Sequence, residues 1–189
     1  TVEYRIPPWV ICQPKVNLEC TQFKKIETNP QIYQNIISYI IVRYSPVTTI
    51  YTASSKSPSG IGPAVVGEGE IWKGSLNPMS SIYTAELTAL YQGLIYVNQN
   101  SSGTYLICSD SLSSLQTIRD TFSTDPLVQK IIQLHHVLQQ QSKRVIFIWT
   151  PGHVGISGNE AADVSARWAA ANPPHELPIR GCDLKSAFK

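Results

Sequence analysis

VTTIYTAS (Val47–Ser54), GIGPAVVGE (Gly60–Glu68) and EIWKGSL (Glu70–Leu76) are three short runs rich in β-branched and aromatic residues, separated by turn residues. Strands joined by links this short return beside one another, so an antiparallel meander is expected. The pattern then changes period. Ile82–Asn98 places Ile82, Ala85, Ala89, Leu90, Gly93, Leu94 and Val97 at helical spacing. TYLICS (Thr104–Ser109) is a nearly continuous apolar run, as a strand buried on both faces requires. Ser111–Phe122 and Pro126–Gln141 read as helices, RVIFIW (Arg144–Trp149) as a second buried strand, and Gly158–Ala171 as a final helix. The order βββαβααβα predicts an α/β fold. Strands separated by helices run parallel with right-handed crossovers, whereas the meander is antiparallel, so the five-stranded sheet is mixed and flanked by helices on both faces.

Outside this core the patterning weakens. Residues 1–46 carry Pro7, Pro8, Pro14 and Pro30 and one helix-like run, Pro30–Arg43, and read as an extension or linker. Residues 172–189 form a proline-containing tail, which leaves 47–171 as one domain of the 189-residue chain. A net charge of +2 with 15% charged residues excludes a polybasic arm, so a nucleic-acid partner would be held by a modest local patch. Cys12, Cys20, Cys108 and Cys182 include no C-x-x-C pair and read as reduced thiols of an intracellular protein. A zinc site from Cys12 and Cys20 with His135 or His136 is set aside because the spacing is unlike structural zinc motifs. No apolar run is long enough for a signal or membrane segment, and nothing points to an obligate oligomer.

The chemistry concentrates in TPGHVGISGNEAAD (Thr150–Asp163). The glycines of Thr150–Gly155 disfavour regular structure, so His153 should sit on a mobile loop. Ser157 and Glu160 have capping-box spacing and start a helix, with Asp163 in its first two turns, where the dipole favours a carboxylate. An arbitrary His…Asp pair is more often plain loop and helix. Other carboxylates change the balance. Glu86 falls inside the apolar stripe of its helix, where a charge needs an ion-pair partner or a bound cation. Asp110 ends the strand Thr104–Ser109, at the sheet edge where ligands gather, although it is equally suited to cap the following helix. Three carboxylates from three elements select a hard cation, Mg²⁺ or Mn²⁺.

TAEL around Glu86, CSDS around Asp110 and TPGHVGISGNEAAD resemble the motifs of ribonuclease H, type 1, in the order E, D, H, D and over Val47 to about Ala171. The resemblance implies a sheet of strand order 3-2-1-4-5 and a metal-dependent endonuclease that degrades the RNA strand of RNA/DNA hybrids. It further implies two Mg²⁺ ions, replaceable by Mn²⁺, held by Glu86, Asp110 and Asp163 together with a residue at position 53. His153 would assist proton movement or product departure without needing to bind metal. Ser55, Glu86 and Ser111 would meet 2′-hydroxyls across the minor groove, although Ser54, Ser55, Ser80 and Ser81 suit turns or caps equally well. No basic helix lies between Phe122 and Pro126, and PPWVICQPKVNLE and LPIRGCDLKSAFK flank the domain. These features look like the ribonuclease H domain of non-LTR retrotransposon polyproteins, where it follows a reverse transcriptase. That likeness implies a place in a retroelement ribonucleoprotein, in nucleus or cytoplasm.

One position departs from the family. Its first strand carries an aspartate in a context such as YTDxS, and here Ile50-Tyr51-Thr52-Ala53-Ser54 puts Ala53 there. Loss of a ligand shared by both ions implies a chain that is nearly inactive. Because the other motif residues persist, a deliberate Asp-to-Ala change is preferred to natural decay. A catalytically silent hybrid-binding module is the alternative. An integrase or transposase of the same fold is disfavoured, since those carry their glutamate on the last helix and Glu86 comes early.

Overall fold

Each helical run of the core forms a helix in the computed structural model, which describes residues 6–173, although the expected Ser111–Phe122 helix shortens to Leu112–Thr117. Strand β1 (Lys15–Asn17), a short 3-10 turn and helix α1 (Pro30–Tyr44) precede the meander β2 (Val47–Lys56), β3 (Ile61–Val66) and β4 (Ile71–Lys73). Then follow α2 (Ile82–Gln99), β5 (Gly103–Ser109), α3 (Leu112–Thr117), α4 (Pro126–Gln140), β6 (Lys143–Trp149) and α5 (Ser157–Ala171). Asn29, Ser81 and Asp125 cap α1, α2 and α4 by accepting from backbone N–H groups, and Pro30 and Pro126 occupy first-turn positions where no N–H is needed. The expected tail lies outside the described residues from Pro174 onward.

The sheet has six strands in the order β1-β6-β5-β2-β3-β4. Five of them stand in the expected order 3-2-1-4-5. The sixth, β1, comes from the expected extension and pairs in parallel with β6, Val16 opposite Phe147. Its backbone satisfies the otherwise open N–H and C=O row of β6. Three residues are too few to show a period, which is why periodicity missed this strand.

Alternation along the central strands divides the core into two layers. Tyr105 and Ile107 of β5 join Ile50, Leu87, Leu90, Leu94 and Phe147 in the layer under α2 and α4. Leu106 and Cys108 face the other way and meet Cys20, Tyr33, Ile37 and Ile40, so α1 and the turn before it cover β5 and β6. Beside them α5 lies on β2 and β3 through Ala53, Ala64, Ala162 and Ala166. Small residues let it approach closely. A Cβ at Gly62 would lie 2.3 Å from both the Ala166 carbonyl oxygen and the Ala170 nitrogen, so only glycine fits under this helix.

Candidate active site

The C-terminal ends of β2 and β5 lie side by side in parallel register, with Thr52 opposite Ser109. One residue further along each strand stand Ala53 and Asp110. Asp110 therefore emerges at the sheet edge, and its backbone carbonyl accepts from Trp149 Nε1 at 3.0 Å. It does not cap α3, whose N-cap is Ser111 and makes no side-chain cap bond. The chain after β6 folds back over the edge, Thr150 N donating to the Ser109 carbonyl at 2.9 Å. A Cβ at Gly152 would lie 2.9 Å from Asp110 Oδ2, so the first glycine of the loop gives the carboxylate its room.

Glu86 reaches the same edge from α2, 8% exposed, and accepts a short hydrogen bond from Ser54 Oγ on its Oε1. Asp163 arrives from α5 at 9% exposure. Ala53 packs in one buried cluster with Ala64, Ala166 and Ala162, the neighbour of Asp163, while Ser54 points to Glu86 from the opposite face of the strand. Position 53 thus sits among the elements that carry the carboxylates and presents a methyl group there.

The electrostatics show three carboxyls held close. Burial chiefly pushes Glu86 up to about 8, the charges of Asp110 and Asp163 add to this, and the Ser54 hydrogen bond opposes it. Asp110 is raised by burial and then by the charge of Asp163, with His153 and Lys25 acting against the shift. Asp163 is raised mainly by burial, and Glu160 adds to this, whereas His153, Arg167 and Lys25 oppose it. Glu86 Oε2 and Asp163 Oδ2 are buried without a hydrogen-bond partner. Orphaned acceptors of this kind suit a divalent cation, which would accept their lone pairs and relieve their repulsion. Glu86, Asp110 and Asp163 would hold it; Ala53 would contribute nothing.

His153 lies over the start of α5, its Nδ1 3.4 Å from Asp163 Oδ2 and 3.8 Å from Glu160 Oε2. Its loop is tied down: Gln34 Nε2 of α1 donates to the Val154 carbonyl at 2.8 Å, and Val154 and Ile156 are buried. The expected capping box does not form. The N-cap of α5 is Ile156 with no side-chain bond, and Glu160 Oε1 instead accepts from Gly155 N at 3.4 Å. The glycine turn, with Gly155 at φ +77°, presents that N–H in place of the backbone N–H of Ser157. Of the candidate substrate contacts, Ser55 pairs with Gly62 in the β2–β3 ladder and Ser111 Oγ donates to Ser114 Oγ at 2.8 Å.

Sequence reasoning missed Ser54, Lys25 and Gln34. Strand alternation carried the signal for Ser54, since the neighbour of Ala53 must face the helix bearing Glu86. Gln34 holds the loop and Lys25 lends its positive charge from the segment before the meander, and no local pattern there announces it. Among the described residues no helix is long and apolar enough to cross a membrane. The RNase H family model matches residues 45–171. No curated protein matches the chain.

Proposed function

The chain belongs to the RNase H family, and from that membership we propose that it is the ribonuclease H domain of a non-LTR retrotransposon reverse transcriptase polyprotein, silenced for cleavage at Ala53. An RNase H domain acts on the RNA strand of RNA/DNA hybrids and generally uses divalent metal ions. The retroelement origin rests on the flanking sequences and the missing basic helix; it makes a reverse transcriptase the neighbouring domain and a ribonucleoprotein in nucleus or cytoplasm the setting. Silencing rests on one observation: beside Asp110, where the family carries a carboxylate, Ala53 presents a methyl group packed on Ala162.

With an aspartate returned to position 53, two Mg²⁺ ions, or Mn²⁺ in their place, would supply an activated water and neutralise charge at the leaving 3′ oxygen. Glu86, Asp110 and Asp163 would hold and space them, and the products would carry a 5′ phosphate and a 3′ hydroxyl. His153, exposed at the rim, would assist proton movement or product departure. Gly152 keeps Asp110 accessible. Ser55, Glu86 and Ser111 are the candidates for meeting the 2′-hydroxyl that separates RNA from DNA.

A second reading, a hybrid-binding module without hydrolysis, is favoured by the Ser54–Glu86 hydrogen bond, which engages the one carboxylate buried deepest in the helix stripe. Cleavage of a labelled hybrid by the Ala53→Asp chain with Mg²⁺ separates the two. Cleavage supports the silenced enzyme. Salt-sensitive hybrid binding without cleavage would support the binding module instead.

A further inference from the structure

We propose that His153, Glu160 and Asp163 form a mononuclear site for a borderline divalent cation of the Zn²⁺ class, which the alanine at position 53 leaves intact. This cation site does not depend on the cleavage reading. It shares Asp163 with the carboxylate set and uses two residues, His153 and Glu160, that the set does not need.

Three observations converge on it. The ligand atoms of the three side chains all lie within 4.8 Å of one another. His153 Nδ1 is 3.4 Å from Asp163 Oδ2 and 3.8 Å from Glu160 Oε2. Two ligands of a tetrahedral ion at about 2.0–2.1 Å stand about 3.4 Å apart, so the two His153 distances suit an ion with shifts of a few tenths of an ångström, and the two carboxylates draw together around it. Asp163 Oδ2 is buried, accepts no hydrogen bond and faces the imidazole nitrogen. A cation between them supplies the partner this oxygen lacks.

The backbone is arranged for the same end. Glu160 and Asp163 are three residues apart on one face of α5. Glu160 Oε1 is occupied by Gly155 N, which turns Oε2 toward His153. His153 itself holds φ +57°, a left-handed conformation that a residue with a β-carbon adopts at a cost, and this conformation brings its ring over the helix start. The positive end of α5 opposes a cation, and two carboxylates outweigh it. Imidazole with two carboxylates favours Zn²⁺ over Mg²⁺, because nitrogen is a poor ligand for the harder ion. His153 has a 69% exposed side chain, so the remaining coordination positions face solvent.

The test uses the chain as it stands, titrated with Zn²⁺ by calorimetry and followed by ¹⁵N NMR of its histidine rings. One Zn²⁺ should shift the His153 Nδ1 resonance. His153→Ala and Glu160→Gln, both substitutions of exposed or half-exposed side chains, should each weaken the event at least tenfold. Asp110→Asn, which removes a neighbouring charge but no ligand of this site, should weaken binding less than either of these substitutions, and millimolar Mg²⁺ should not displace the ion. Absence of Zn²⁺ binding, an ion that leaves the His153 resonance unmoved, or binding lost with Asp110→Asn but kept with Glu160→Gln would each overturn the proposal.

Discussion

The two sides of the candidate site differ in how they hold their polar groups. On the α5 side, His153, Glu160 and Asp163 converge with an unpartnered oxygen between them. On the β2 side, Ala53 is packed away against Ala162, and Ser54 hydrogen-bonds Glu86. The first side leaves a buried acceptor open; the second carries a buried methyl group and a serine engaging Glu86. With alanine at position 53, sheet, helices and loop still bring Glu86, Asp110 and Asp163 to one edge.

The most severe way to break the comparison is to remove what supports both sides. Deleting residues 1–44 strips Tyr33, Ile37 and Ile40 from Leu106, Cys108, Ile146 and Ile148. At about 1.5–3 kcal/mol for each large side chain, the loss approaches the whole stability of a small domain. The truncated chain, although it keeps every residue matched by the family model, should lose cooperative unfolding and near-ultraviolet circular dichroism. A cooperative transition at the midpoint of the intact chain would show that α1 and β1 are dispensable.

Next in size is the α5 side alone. Gly62→Ala drives a methyl group into the backbone of α5 at Ala166 and Ala170, neither of which has a flexible end to move aside. A cost of about 3 kcal/mol is expected by urea denaturation, with hybrid and metal binding weakened as Asp163 is displaced. An unchanged midpoint would mean that α5 rides further from the sheet than it does here.

The β2 side is best probed by pH. Glu86 in the folded chain titrates at about 8, above the ordinary 4.5, chiefly because it is buried. The folded state keeps a proton that the unfolded state releases, so this contribution to stability is full below about pH 4.5 and is lost as pH rises through about 8. Glu86→Gln, which stays neutral and retains an acceptor for Ser54, should flatten that decline and gain on the order of a few kcal/mol over the parent at pH 9. Parallel stability–pH curves for the two chains would show that Glu86 is not held protonated.

Much of this was legible in the residues, and the failures have physical causes. The meander, the buried strands and the long helices announced themselves because each spans enough residues to show its period. The helix-like run Pro30–Arg43 was visible, whereas its packing on β5 and β6 was not, since those strands read as apolar on both faces whatever covers them. Asp110 at a strand end and Glu86 in an apolar stripe were readable, and the fold brings both beside position 53. The Ser157 capping box failed because the same spacing let Glu160 serve the glycine turn at Gly155 instead. Lys25 and Gln34 act across the fold from a region without motif, a relation that only tertiary structure supplies.

The central claim, that the site is complete except for a carboxylate at position 53, is tested most directly by assaying Ala53→Asp against an RNA/DNA hybrid with Mg²⁺ titrated, beside the parent chain. Metal-dependent cleavage of the RNA strand by the substituted chain, raised at least about 10³-fold over the parent, is the predicted result. A substituted chain that folds and binds hybrid yet stays as inert as its parent would contradict the claim.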